Sequence, residues 1–188
     1  MKKKKIIFVN LIDEEQNIRN TLNNNHNIDI KIVCSDIVDS KLNLHNYDSL
    51  IISVKQNHQD LFHFYFDYFK NKPVLSVGYA CIFLSKYYNC YELKNTYIHS
   101  PQCFIKLDKR FKIHSSIDEP YNRITLNNDN NRIIMPNDSS CKSTSYCVTD
   151  CYIETSYKFM YDSHYGVLFN LNDSLCGTTV LNNFIEKI

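Results

Sequence analysis

The 188-residue chain has a formal net charge of +1 and is 44% hydrophobic, which excludes a disordered chain and gives no global reason to expect a nucleic-acid partner. The apolar stretch after Lys2 to Lys5 covers only Ile6 to Val9, which is too short for a signal-peptide core or a membrane span. We therefore expect one domain over residues 1–188, soluble and cytoplasmic, without a membrane or nucleic-acid partner.

Two residue types are unusually frequent. The chain has eight cysteines, but we expect no secretory leader and it has few glycines and prolines, so we expect reduced and mostly buried thiols. Asparagine is abundant and forms clusters, for example at 127–131, which is typical of an AT-rich genome and predicts loops.

Strands and helices alternate in the first half of the chain. Hydrophobic periodicity predicts the following elements in chain order: strand Lys4–Asn10, helix Asp13–Leu22, strand Ile28–Cys34, a strand within Tyr47–Val54, helix Gln59–Phe69, strand Val74–Val77 and helix Tyr79–Tyr88. This alternation predicts a three-layer, flavodoxin-like α/β fold with a mostly parallel central sheet flanked by helices.

The second half of the chain is rich in β-formers and turns. Predicted strands cover Ile98–Leu107, Arg132–Met135, Tyr146–Thr155, Tyr157–Tyr161 and Tyr165–Phe169, and a helix covers Ser174–Ile188. We expect an antiparallel β extension, followed by a return to the central sheet and a closing helix.

The helix Gln59–Phe69 is aromatic nearly all round. It carries no interleaved Lys or Arg, so it lacks the electrostatic part of a nucleic-acid site. We expect one side to lie in the core and the other to contact a second protein or a second copy of this chain.

Two segments have the outline of a catalytic framework. Pro73 to Leu84 reads as a strand, a sharp turn and a helix, and Ser76, Gly78 and Ala80 provide the small side chains that a nucleophile elbow needs. About ninety residues later, Tyr165 to Asn172 forms a second strand end. Because reactive groups gather at the carboxyl ends of parallel strands, both segments are expected at one edge of the sheet.

These segments resemble the class I glutamine amidotransferases, whose signatures are Gly-x-Cys-x-Gly-His-Gln at the elbow and Gly-Val-Gln-Phe-His-Pro-Glu before the last helix. The resemblance covers nearly the whole chain. Gly78 stands where the family has its nucleophilic cysteine, Asn170 stands for the histidine and Asn172 for the glutamate. Within the family, Cys151 to Lys158 is similar to the Cys-Pro-Ile-Glu segment of the glutaminase component of GMP synthase.

The resemblance implies a degenerate site. The family's triad forms a thioester with glutamine, and glycine and two neutral amides cannot supply the thiolate, the base or the carboxylate. The turn that completes the family's oxyanion hole aligns with Ser53 to Gln56, so Val54, Lys55 and Tyr79 are expected to line a degenerate oxyanion and glutamine pocket. We expect no cofactor, no metal and a docking or regulatory role on a synthetase subunit or a paralogue, with a homo-oligomer as a further candidate.

Alternative interpretations of the sequence remain open. Cys81 or His164 would serve a rearranged active enzyme, although Cys81 has apolar neighbours and His164 reads as a solvated turn residue. In a further alternative, the degenerate glutamine pocket binds a small ligand without any reaction. Zinc on Cys141, Cys147, Cys151 and His164 is disfavoured, because the cysteine spacings match no zinc knuckle and strand alternation places Cys147 and Cys151 on one face.

Overall fold

The computed structural model describes residues 3–11, 16–25, 27–34, 42–94, 102–118, 121–125, 132–135, 141–148, 154–159, 163–172 and 174–187. In chain order the strands are β1 Lys4–Asn10, β2 Ile28–Val33, β3 Ser49–Val54, β4 Val74–Gly78, β5 Tyr91–Lys94, β6 Gln102–Leu107, β7 Tyr121–Thr125, β8 Arg132–Met135, β9 Cys141–Cys147, β10 Glu154–Phe159 and β11 His164–Val167. The α-helices are α1 Gln16–Asn23, α2 Gln59–Phe69, α3 Tyr79–Tyr87 and α4 Gly177–Lys187, and short 3-10 helices cover Leu44–Asn46, Gln56–His58 and Lys112–His114.

A nine-stranded mixed sheet organises the molecule, in the order β2-β1-β3-β4-β11-β10-β9-β6-β7. The first five of these strands are all parallel, and the remaining pairings are antiparallel. The predicted antiparallel extension is therefore confirmed, but "mostly parallel" is not exact. The extension continues the central sheet itself, so antiparallel pairings are as numerous as parallel ones. Strands β5 and β8 form a separate two-stranded sheet.

Helices cover both faces of the parallel half. Alternate residues of β1 point to opposite sides, so Ile6 and Phe8 pack in the core under α1 and α4, whereas Ile7 and Val9 pack in the core under α2 and α3. The predicted three-layer arrangement is confirmed. Among the described residues, no helix is long and apolar enough to span a membrane.

Most predicted elements have their expected type. The bounds of β1, α2 and β8 match the predictions, and α4 begins at Gly177 rather than Ser174. The single strand predicted over Tyr146–Thr155 is wrong, because β9 ends at Cys147 and β10 begins at Glu154. The first residues predicted for α1 and the residues Cys151 to Ile153 lie outside the described residues, as does the expected alignment of Cys151 with Cys147.

The aromatic helix α2 divides into two sides. Its buried side chains are Leu61, Phe62, Tyr65, Phe66 and Phe69. Phe64 is half-buried, and Tyr68 is 40% exposed and contacts the ring of His45 edge-on. The prediction that one side of α2 lies in the core is therefore confirmed. Contact of its outer side with another protein stays a prediction.

Candidate functional site

The turn between β4 and α3 has the backbone of a nucleophile elbow. Gly78 ends β4, and α3 begins at the next residue, so the chain reverses direction without a loop. Gly78 has φ 63° and ψ −125°, a region that is essentially restricted to glycine. The elbow predicted from sequence is therefore present, and its central residue carries no side chain.

Close packing of α3 on the sheet explains the small residues around the elbow. A Cβ atom on Gly166 of β11 would overlap the Cys81 sulfur and would lie 3.1 Å from the Ser76 hydroxyl oxygen. Ser76 Oγ in turn donates a hydrogen bond to the Tyr165 carbonyl at 3.1 Å. Gly166 is therefore required for the approach of α3 to β11.

Cys81 belongs to this packing contact. Its side chain is fully buried and its sulfur lies against Gly166. Burial raises the pKa of the Cys81 thiol well above its ordinary value, and the nearby Cys90 raises it further. A thiol in this environment stays protonated and is a poor nucleophile.

The predicted pocket residues lie at the same edge of the sheet as the elbow. Val54 is the register partner of Gly78 across the β3–β4 pair, Lys55 follows Val54 and is exposed, and Tyr79 opens α3. Val54, Lys55 and Tyr79 therefore lie beside Gly78 at this edge, and their role in lining a glutamine pocket stays a prediction.

The second segment of the framework leaves the sheet at this same edge. Val167 of β11 pairs with Val77 of β4, one residue before the elbow, so the chain after Val167 runs past the carboxyl end of the sheet. Asn170 N donates to the Thr125 carbonyl at 2.8 Å, and Leu175 N donates to the Arg123 carbonyl at 3.2 Å. The segment therefore closes the outer edge of β7.

The two asparagines on this segment have structural hydrogen bonds. Asn170 Oδ1 accepts from the backbone N–H of Asn172 at 2.8 Å and stabilises a local turn. Asn172 Oδ1 accepts from the backbone N–H of Ile18 at 3.1 Å. Ile18 lies in the first turn of α1, so Asn172 caps that helix from a distant part of the chain.

His164 lies at the opposite end of the sheet from the elbow. It pairs with Val74 at the start of β4, and the four residue-to-residue steps from Val74 to Gly78 span roughly 13 Å. The sequence-based interpretation as a solvated turn residue is wrong, because His164 is buried. This placement also removes His164 as a base for chemistry at Gly78.

Hydrogen bonds hold the His164 ring in place. Nε2 donates to the Lys72 carbonyl at 2.8 Å, so Nδ1 accepts from the Tyr88 hydroxyl at 2.5 Å. Burial lowers the pKa of His164 below its ordinary value, while hydrogen bonds to the Lys72 and Phe69 carbonyls act in the opposite direction. The imidazole is therefore neutral near pH 7 and serves packing.

The residues considered for zinc do not meet within the part of the chain that the structure describes. Cys141 contacts Cys90 after the end of α3, whereas Cys147 lies at the other end of β9 and contacts Cys103 of β6. Cys151 lies outside the described residues. Over the described ranges, no three His, Cys, Asp or Glu side chains are grouped so that they could hold a metal ion.

A buried hydroxyl cluster lies between β9, β10 and the 3-10 helix Lys112–His114 and was not predicted. His114 Nε2 lies 3.2 Å from Thr144 Oγ1 and 3.1 Å from Ser156 Oγ, and Ser145 joins the same cluster through Ser156 at 2.6 Å. Burial lowers the pKa of His114 to about 4, while the charge of Asp108 acts in the opposite direction. All these side chains are buried, so the cluster is structural despite its resemblance to a serine–histidine pair. The signal available in the sequence was the run of Ser and Thr in β9 and β10.

Many solved structures are similar to this chain, including the following three proteins. A protein from Thermoplasma acidophilum that is named as one of the subunits of GMP synthase superposes with a TM-score of 0.78 at 17% identity, over 97% of this chain and 92% of that one. A glutamine amidotransferase from Thermotoga maritima superposes with a TM-score of 0.66 at 10% identity, over 89% and 76% of the two chains. A glutamine amidotransferase from Methylobacillus flagellatus gives 0.65 at 10% identity, over 91% and 70%.

This chain has the class I glutamine amidotransferase fold. No family model matches the sequence and no curated protein is significantly similar to it, so the likeness is one of structure. The fold predicted from the two short motifs is therefore confirmed. The sequence resemblance implies that the family's reaction centre corresponds to the carboxyl edge of the sheet at Gly78.

Proposed function

We propose that this protein is a glutamine amidotransferase-like module that does not hydrolyse glutamine and that regulates a synthetase subunit or a paralogue by docking onto it. The conformation of Gly78 is the observation that carries the proposal. The elbow keeps the strained backbone that presents a nucleophile, with φ 63° and ψ −125°, yet its residue has no side chain with which to attack an amide.

The asparagines support the same conclusion. A carboxamide cannot accept a proton near neutral pH, so Asn170 cannot take the place of an imidazole base. The oxygen of Asn172, where the family places the orienting carboxylate, accepts the Ile18 N–H of α1. Both positions have acquired hydrogen bonds that stabilise the fold.

Neither rescue residue favours a rearranged enzyme. Cys81 is packed against Gly166 with a raised pKa, and His164 lies at the other end of β11. General acid–base catalysis requires the two groups within hydrogen-bond reach of one substrate. A base that is a strand's length from the elbow cannot meet this requirement.

A docking role is compatible with the loss of chemistry, because an interaction surface and a catalytic site are separate features of a fold. The Thermoplasma protein is named as one of the subunits of GMP synthase. A module that keeps this fold without the reaction would still present a surface to a synthetase partner. Such a module would change the partner's activity by occupying the position of an active glutaminase.

Ammonia release from glutamine tests the absence of catalysis. We expect the purified protein to release no more ammonia than a heat-denatured sample, while an active class I amidotransferase in parallel confirms the assay. C81S and H164A are the matched variants. Release by the wild-type protein that either variant abolishes would contradict the proposal and favour the rearranged enzyme.

Two further measurements test the docking role. Affinity capture from the native host is expected to recover a synthetase subunit or a paralogous amidotransferase, and the purified partner is expected to change activity when this protein is added. A melting temperature that rises with glutamine or a nucleotide, without any captured partner, would instead support ligand binding without chemistry.

A further inference from the structure

The position of Cys90 is fixed by the end of the elbow helix α3. Asn89 follows the helix in the left-handed region, with φ 56°. The N–H of Cys90 donates to the Ser85 carbonyl at 2.9 Å, and the N–H of Asn89 donates to the Lys86 carbonyl at 3.0 Å. These bonds form a helix C-cap, so the backbone of Cys90 is held rigidly.

The position of Cys141 is fixed by the sheet. It is the first residue of β9 and pairs with Phe159 of β10. Cys90 and Cys141 are 6% and 3% exposed, and both belong to the apolar core under α2 and α3. Two separate rigid elements therefore bring these residues to one buried place.

The sulfur atoms of Cys90 and Cys141 are in contact. They lie 3.3 Å apart as separate thiols, on residues that are 51 positions apart in the sequence. A disulfide has a sulfur–sulfur bond of about 2.05 Å, so the two atoms need to approach by little more than an ångström. Both side chains are short, and rotation about their χ1 angles supplies a movement of this size.

We propose that Cys90 and Cys141 form a peroxide-oxidisable dithiol whose disulfide joins the end of α3 to the start of β9. The thiolate of one cysteine attacks a peroxide oxygen, the O–O bond breaks, and a sulfenic acid and one water form. The second thiol then attacks the sulfenic sulfur, forming the S–S bond and releasing a second water. In total, one hydrogen peroxide is reduced to two waters and two thiols are oxidised to one disulfide.

A small oxidant suits this location better than a disulfide compound. The near-complete burial of both sulfurs excludes a molecule of the size of oxidised glutathione from the native structure. Hydrogen peroxide is little larger than water and reaches buried sites through small fluctuations. Because burial disfavours the reactive thiolate, we expect the reaction to be slow compared with that of an exposed thiol.

Peptide mapping under non-reducing conditions tests the proposal. The reduced protein is treated with hydrogen peroxide, its remaining thiols are alkylated, and it is digested with trypsin. Trypsin places Cys90 in peptide 87–94 and Cys141 in peptide 133–142, each with a single cysteine. We expect a linked pair of these peptides, lighter by about 2 Da than their sum, which disappears on reduction with dithiothreitol.

Three single variants provide the controls. C90S and C141S should each abolish the linked pair. C34S removes an exposed cysteine and should leave the linked pair unchanged. The peptide map of the wild-type protein tests for the Cys90–Cys141 disulfide by itself, even if C90S or C141S folds poorly. Recovery of both peptides in alkylated form, or links that join only other cysteines such as Cys103 and Cys147, would overturn the proposal.

The inference is independent of the proposed function, because neither cysteine lies at the carboxyl edge around Gly78. The melting temperature gives a second readout. A cross-link across 51 residues restricts the unfolded chain, so we expect the oxidised protein to melt higher by several degrees, on the order of 10 °C, and dithiothreitol to reverse the shift. No reversible shift in wild type, or an equal shift in C90S, would count against the cross-link.

Discussion

Gly78 shows how one residue combines a stability role with a functional consequence. Its backbone lies in a region that costs an ordinary side chain on the order of 1–3 kcal/mol, and glycine removes that cost. An enzyme accepts this strain in order to expose a nucleophile. In this chain the conformation is retained, so glycine at the elbow is favoured for stability once catalysis is absent.

Substitution of Gly78 by alanine is expected to lower the free energy of unfolding by about 1–3 kcal/mol, because a Cβ atom restores the backbone strain. Urea denaturation measures the change. N89G is the matched control, since Asn89 has φ 56° and glycine at that position should leave the stability unchanged or raise it by up to about 1 kcal/mol. Equal stability of G78A and wild type would show that the elbow relaxes out of this conformation.

His114 gives the protein a defined acid sensitivity. Its pKa is about 4 in the folded protein and 6.5 as an ordinary histidine, so the unfolded chain binds a proton that the folded chain excludes between these values. The free energy of unfolding therefore falls as the pH drops from about 6.5 to 4, by about 3 kcal/mol at most from this residue. In H114Q this part of the pH dependence should be absent. A wild-type pH dependence in H114Q, measured by urea denaturation, would contradict the assignment.

At the scale of secondary-structure elements, the segment after β11 connects distant parts of the fold. Asn170 N donates to the Thr125 carbonyl at the edge of β7, and Asn172 Oδ1 caps the first turn of α1. In the family that the sequence resembles, the same two positions carry the base and the carboxylate. Here they hold an edge strand and a helix terminus in place.

Replacement of Asn172 by alanine is expected to destabilise the protein by about 1 kcal/mol, because the Ile18 N–H of α1 loses its acceptor. N172D keeps an acceptor oxygen at this position and should have nearly wild-type stability. Urea denaturation compares the three proteins, and amide hydrogen exchange should locate the loss of protection in α1. Equal destabilisation by N172A and N172D would argue against a capping role.

At the scale of the whole molecule, the sequence predicted the layers and the location of the site better than the contacts within it. Buried parallel strands such as β3 and β4 are mostly apolar, and Gly78 lies at a recognisable strand-to-helix turn, so local sequence patterns were enough to predict these features. The boundary between β9 and β10 was missed because the residues around it are β-formers that read as one strand. Periodicity alone gives no sign of a chain reversal there.

The long-range contacts had no local signal. His164 was predicted to be solvated, yet its hydrogen bonds to Tyr88 and Lys72 come from residues 76 and 92 positions away in the sequence. The hydrogen bond between Asn172 and Ile18 and the contact between the Cys90 and Cys141 sulfurs also join residues that are far apart in the sequence. These contacts depend on how α3 and β11 pack in three dimensions, and only the assembled sheet reveals them.

The central claim is that the elbow at Gly78 presents no nucleophile to glutamine. The most direct measurement is the intact mass of the protein after incubation with a diazo-ketone analogue of glutamine, which alkylates the catalytic thiol of active amidotransferases. We expect an unchanged mass under conditions that fully modify an active class I amidotransferase in parallel. A single adduct on a cysteine of this chain, prevented by excess glutamine, would contradict it.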